Sequence, residues 1–174
     1  MTISIMLVIN YPDREGMKLT CRSEYALLAL VYLARCEAEK YVSVQTIAAA
    51  KGIPPKFLEQ ILLTLRLAKY LRSSKGKSGG FRLAKSPDKI SLAEIVRLFD
   101  GALAPTESVS EYFYESTPIE REKKLVKVFR QMRDYLAEKM ESSTVADVTQ
   151  WSFFVQKNYI FYRINIIKNE GNHP

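Results

Sequence analysis

The sequence predicts a mainly α fold, a winged helix-turn-helix domain followed by a long C-terminal dimerisation helix. Three observations carry it. Apolar residues recur at helical spacing in three successive segments between positions 22 and 70. Next comes "YLRSSKGKSGGFRLAK", two short extended pieces around a glycine-rich turn. Farther on, "TPIEREKKLVKVFRQMRDYLAEKM" places one apolar seam on an otherwise densely charged helix.

From Arg22 to Cys36, the residues Tyr25, Leu28, Ala29, Tyr32 and Leu33 share a helical face, with Thr20 or Ser23 as the cap. In "YVSVQTIAAAKGI", Ser43 is the expected N-cap, Ile47 and Ala48 face inward, and Gly52 stops the helix. The alanines at 48–50 allow two helices to cross closely. The third segment, "PPKFLEQILLTLRLAKYL", opens with proline, which a first helical turn tolerates. Leu58, Ile61, Leu62 and Leu65 form its buried stripe, and Lys56, Glu59, Gln60, Thr64 and Arg66 fall largely elsewhere. Two helices joined at Gly52 make a helix-turn-helix candidate, and the hairpin supplies a wing. In "SLAEIVRLF", Ser91 and Glu94 are spaced as a capping box. Residues 101–116 read as a loop. The last segment expects Thr117 as cap, Pro118 at the first helical position and Glu120 closing a second capping box. Leu125, Phe129, Met132, Leu136 and Met140 form the seam of a helix of roughly 25 residues. A second copy of the chain is its expected partner, against the alternative that the seam packs on its own domain.

Composition narrows the functional classes. Residues 17–104 hold 15 Lys/Arg against 7 Asp/Glu, whereas residues 105–148 hold 7 against 9, in a chain of net charge +7. A basic excess confined to the helix-turn-helix segment favours a polyanionic partner. The longest apolar run, "YALLALVYLA", is short of the ~18 residues a membrane span needs, so no membrane partner is expected. "ISIMLVI" near the start lacks the flanks of a signal peptide. Two cysteines, Cys21 and Cys36, provide no disulfide framework and suit a reducing cytoplasm. The expected organisation is an extension at 1–16 ahead of a true start at Met17, the winged domain at 17–88, then a linker helix, loop and dimerisation helix at 89–148. An aromatic-rich tail at 149–174 follows, with strand-favouring composition at 151–167.

The loop "GKSGG" has the end of a phosphate-cradling motif. A Walker loop needs Gly-x4-Gly-Lys-Ser/Thr followed by a helix; here Leu71 stands at the first glycine and an extended piece follows. The single histidine, His173, lies in the tail, and no Cys/His or Ser/His/Asp arrangement is in reach. No enzyme and no catalytic residue are expected. As a wing, the glycines permit positive φ and close backbone approach, and Phe81 and Leu83 alternate with Arg82 to pin the returning strand.

The stretches "MKLTCRSEYALLAL", "GIPPKFLEQILLTLR", "KGKSGGFRLAK" and "ISLAEIVRLFDG" resemble the Rrf-two family of bacterial winged-helix regulators, of the IscR, NsrR and CymR type; the likeness spans residues 17–148. The resemblance implies a homodimeric transcription factor on double-stranded DNA, expected to be a repressor. Its third helix would enter the major groove while the hairpin reaches the adjacent minor groove or backbone. Carried over by position, Lys56, Phe57, Glu59 and Gln60 lie at the DNA-facing start of the recognition helix. Lys75, Gly76, Lys77, Ser78, Gly79 and Gly80 form the wing. The chemistry agrees: Gln60 can pair bidentately with adenine, Glu59 can accept from cytosine N4, and Lys56, Lys75, Lys77 and Arg82 suit phosphates. The bland counterpart for each is solvated surface.

The chain departs from the cluster-binding members, which carry three cysteines in the loop before the long helix. Here that loop is "PTESVSEYFYESTPIE", without cysteine. Cys21 and Cys36 are separated by roughly 20 Å of helix at 1.5 Å per residue, too far to share a metal. No iron–sulfur cluster, other metal or cofactor is expected. Both cysteines are read as core or half-buried thiols, and Glu24 as first-helix surface. The signal stays open between a protein partner docking on "SEYFYES", a small-molecule effector at the dimer interface, and none. The alternative reading is a protein-interaction module in which the long helix is the active part and DNA binding is secondary.

Overall fold

The computed structural model describes residues 19–76, 78–101, 103–111 and 114–150. The extension at 1–16, the start at Met17, Lys77 and the strand-favouring tail lie outside the described residues. Among the described residues, six helices and one hairpin follow in order: α1 (Cys21–Ala34), α2 (Val44–Lys51), α3 (Pro55–Leu67), β1 (Leu71–Ser74), β2 (Gly80–Leu83), α4 (Leu92–Asp100), α5 (Lys123–Glu141) and α6 (Val145–Gln150). Single 3-10 turns occupy Pro87–Lys89, Glu107–Val109 and Pro118–Arg121. This is the mainly helical winged architecture expected, with a long helix after the wing.

Local chemistry sets the boundaries of α2, α3 and α4. The Ser43 hydroxyl accepts from the Thr46 amide at 3.1 Å, and Gly52 ends α2 in the left-handed region at φ 66°. Pro55 takes the first position of α3, and Leu58, Ile61, Leu62 and Leu65 are its buried residues. Ser91 and Glu94 close a reciprocal capping box at the start of α4.

Strands β1 and β2 pair antiparallel, Leu71 opposite Leu83 and Ser74 opposite Gly80. Val42, ahead of α2, adds a further short pairing: its amide donates to the Phe81 carbonyl at 2.9 Å and the Phe81 amide returns to its own at 2.8 Å. The hairpin is thereby tied to the helix-turn-helix at its base, while its tip stays clear.

One core cluster joins Leu30, Ile47, Leu58, Ile61, Leu62, Leu65 and Phe81 to Ile90, Ile95 and Val145. Burial of such side chains contributes about 1.5–3 kcal/mol each. The core therefore runs across position 88, and the winged segment shares it with α4 and α6. A smaller cluster, Ala93, Val96 and Leu103, takes Met140 of α5 against it.

Several local expectations are corrected. The buried face of α1 is Ala26, Ala29, Leu30 and Leu33; Tyr25 and Tyr32 are half-buried and Leu28 is exposed. In an almost wholly apolar helix, the close crossings with α3, α4 and α6 select the small residues. Thr20 holds the N-cap position of α1 without a side-chain cap bond, because its hydroxyl donates to Asp100 instead. Thr117 caps nothing: Pro118–Arg121 is a 3-10 turn and the α-helix proper starts at Lys123, giving 19 residues. The second capping box fails because Glu120 is engaged by Tyr114 and Ser116. Cys21 is exposed rather than buried, while Cys36 is half-buried with its thiol 3.4 Å from the Tyr32 carbonyl. Glu24 lies exposed in the first turn of α1.

Candidate nucleic-acid interface

Helix α3 divides cleanly. Its buried stripe anchors it on α1 and α2, which leaves Lys56, Glu59, Gln60 and Arg66 exposed. Lys56, Glu59 and Gln60 fall in its first half, next to the turn through Gly52 and Ile53. Phe57 behaves differently. It is half-buried, and its ring meets Tyr25 edge-on at 5.7 Å between centroids. It therefore braces the start of α3 against α1 while its neighbours face out. Lys69, at φ 64°, ends the helix in the left-handed region, and the Tyr70 amide reaches back to the Leu65 carbonyl at 2.9 Å.

The wing presents Arg72, Ser73, Ser74, Lys75, Gly76 and Ser78 to solvent. Gly80 is required by contact: a Cβ there would stand 2.2 Å from the Val42 carbonyl oxygen, at φ 152°. A Cβ on Gly79 would meet the Ser74 carbonyl oxygen at 2.5 Å. The glycine pair therefore lets the hairpin close on itself and on Val42, while Gly76 shapes the open tip with φ 99°.

Arg82 is placed at the base of the wing rather than the tip. Its guanidinium lies 2.9 Å from the Glu39 carboxylate, donates to the Ala38 carbonyl at 3.4 Å and covers the Tyr41 ring at 5.2 Å. Arg72 stands directly across the ladder from it. Two cations in opposed positions repel. Glu39 neutralises Arg82, and Arg72 is left exposed with no ion pair among the described residues. Arg72 is thus a phosphate candidate that the sequence reading passed over. The alternation of "LRSS" beside buried Leu71 was the available signal. Arg66 donates to Ser73 at 3.3 Å, linking α3 and the wing.

On α5, the five seam residues do not share one environment. Leu125 and Met132 are exposed, whereas Phe129, Leu136 and Met140 are half-buried, Met140 against the smaller core cluster of its own chain. The exposed apolar stripe is Leu125, Val128, Met132 and Tyr135, at 44, 49, 44 and 73% exposure. Their spacing of 3, 4 and 3 is that of a coiled-coil seam.

The sequence and the fold match known proteins. The Rrf2 family, described as "Iron-dependent Transcriptional regulator", matches residues 19–150. The chain belongs to the Rrf2 family. A Mycobacterium tuberculosis protein that carries the name of an HTH-type transcriptional regulator is 37% identical over 136 residues, covering 76% of this chain and 81% of its own. The HTH-type transcriptional regulator CymR of Bacillus subtilis is 29% identical over 84% of this chain and 99% of its own. The solved structure of B. subtilis CymR, the global cysteine regulator, superposes with a TM-score of 0.63 at 27% identity, covering 78% of this chain and 98% of that one. The T. potens IscR structure gives 0.59 at 26% identity, over 76% and 86%. As an Rrf2 protein, the chain is a DNA-binding transcriptional regulator and not an enzyme. No helix among the described residues is long and apolar enough to cross a membrane.

The family description implies iron, and the donor set does not fit a thiolate-held cluster. The chain has two cysteines and one histidine. Cys21 opens α1 and Cys36 lies beyond its other end. Among the described residues, no three His, Cys, Asp or Glu side chains come together as a metal site. The loop ahead of α5, where a ligand-bearing member needs thiolates, offers only hydroxyls, carboxylates and phenols.

Proposed function

We propose that this Rrf2 protein is a homodimeric, sequence-specific repressor whose signal is not an iron–sulfur cluster. Each copy lays α3 in a major groove and reaches the neighbouring backbone or minor groove with the β1–β2 tip. Glu59 and Gln60 read bases, and Lys56, Lys75, Lys77 and Arg72 meet phosphates. Gly76, Ser78, Gly79 and Gly80 bring the wing backbone close to the duplex. Phe57 and Arg82 hold the two reading elements in place from behind. The stripe Leu125–Val128–Met132–Tyr135 pairs two copies, with Phe129, Leu136 and Met140 along its inner edge. The winged segment to about residue 88 reads DNA, and the segment to 148 pairs the copies.

The observation that carries this reading is the sorting of α3: four apolar residues buried, and a lysine, a glutamate and a glutamine exposed beside a cationic hairpin. Repression follows because a bound dimer covers promoter DNA that polymerase needs. A contrast of two variants on one operator tests it. Gln60→Ala is expected to lose about 1–3 kcal/mol against the cognate sequence and to relax preference at one base pair. Lys75→Gln is expected to weaken all sequences alike and to lower the salt slope by about one unit. Unchanged binding by both variants, measured by fluorescence anisotropy across a salt series, removes α3 and the wing from the interface.

A further inference from the structure

A cleft of about 470 Å³ separates the loop ahead of α5 from the first turns of that helix. Ser108, Tyr114, Glu120, Lys123, Lys127 and Arg130 line it, together with Val126. Lys123, Lys127 and Arg130 fall at i, i+4 and i+7 of α5, so their side chains share a face about 5–6 Å apart per step. None of the three has an ion pair among the described residues. The one carboxylate lining the cleft among the described residues is already occupied: Glu120 accepts from the Tyr114 phenol at 2.8 Å and from the Ser116 hydroxyl at 3.1 Å. That bond, with burial and the Glu120 charge adding to it, holds the Tyr114 phenol above its ordinary value, so it stays a donor. Ser108 is only 4% exposed, and its hydroxyl has just a 3.5 Å contact with the Thr106 hydroxyl among the described residues.

Three like charges on one face repel, and a buried hydroxyl without a good partner costs free energy. A bound dianion relieves both, because charge-assisted hydrogen bonds are the strong ones. The volume suits a metabolite-sized molecule. We propose that this cleft binds a small dianion bearing carboxylate or phosphate groups, held by Lys123, Lys127, Arg130 and the Ser108 hydroxyl. At about 100° per residue, these cations lie on a different face of α5 from Leu125, Val128 and Met132. The site is therefore complete within one chain. A ligand there clamps the loop to α5, where the bond from Arg133 to the Val109 carbonyl, 2.7 Å, already fastens them. Its effect on operator affinity rests on the DNA-binding reading above; the binding itself does not.

The test titrates the full-length chain, without DNA, with inorganic phosphate and separately with succinate at constant ionic strength, chloride being the control anion. Calorimetry and the thermal midpoint read the outcome. The expected result is saturable binding of one or both probes, weakened about tenfold or more in Lys127→Gln/Arg130→Gln and in Ser108→Ala. The same binding persists in Lys56→Gln/Lys75→Gln, which removes charge from the DNA face instead. Which probe saturates assigns the phosphate or the carboxylate class. Absence of saturation with both probes, or an equal response in the cleft variants and the parent, overturns the site. A cleft variant that loses operator affinity with no probe present assigns these cations to the DNA backbone and also overturns it. Operator affinity that ignores a saturating probe overturns the regulatory part alone.

Discussion

Asp100 ends α4, where a negative charge opposes the helix dipole, and its value lies in another helix. Its carboxylate accepts from the Thr20 amide at 3.0 Å, the Thr20 hydroxyl at 2.5 Å and the buried Ser23 hydroxyl at 2.6 Å. An anion at the start of α1 satisfies the Thr20 amide and the dipole together. Asp100→Ala is expected to destabilise the chain by about 1–3 kcal/mol in urea unfolding, and Ser23→Ala by less, since Ser23 is one of several donors. Gly80 acts through shape alone. Gly80→Ala forces a Cβ into the Val42 carbonyl, and the expected cost is about 1–3 kcal/mol with loss of the Val42–Phe81 pairing. Slowed amide exchange at Phe81 that survives the substitution contradicts this account.

At the scale of elements, legibility in the sequence followed the distance between partners. The caps of α2 and α4 were readable because Ser43 with Thr46, and Ser91 with Glu94, lie three residues apart. The bond that starts α1 was not, because Asp100 is about 80 positions away and no local pattern announces it. The stripe of α3 was readable because Glu59, Gln60, Thr64 and Arg66 interrupt the apolar residues. "YALLALVYLA" offers no such contrast, so its inner face was decided by close helix crossings. On α5, Met140 packs on the chain's own smaller cluster and Phe129 is half-buried, while Val128 and Tyr135 face out, and a wide apolar band made the seam ambiguous. At the interface, Lys56, Glu59 and Gln60 were legible as the surface left over by the stripe. The tethering of Arg82 by Glu39 and Tyr41 depended on a loop packing that no spacing encodes. The exposed stripe gives a sharp expectation: Met132→Glu buries a charge at the centre of the seam. The full chain is then expected to sediment as a monomer at micromolar concentration. Operator affinity falls about 100-fold or more, because two linked readers become one. Lys139→Glu, off the stripe, leaves the mass unchanged.

For the whole molecule, two adjoining clusters link the winged segment to α5, with Leu27 packed against both. Leu30 and Leu65 of the winged segment, Ile95 of α4 and Val145 of α6 share the main core, and α5 joins through Met140, which packs on the second cluster of Ala93, Val96 and Leu103. In the proposed dimer, two copies related by a two-fold axis would hold their α3 helices at a set separation, and an operator would have to mirror that symmetry. Selection of bound sequences from random duplex DNA by the full-length chain tests this most directly. The account predicts an inverted-repeat motif whose half-sites recur at one spacing. Its information content should collapse at a single base pair in each half when Gln60→Ala is used for the selection. Recovery of no motif, or of a single half-site without its inverted partner, contradicts the account of a dimer reading DNA through α3.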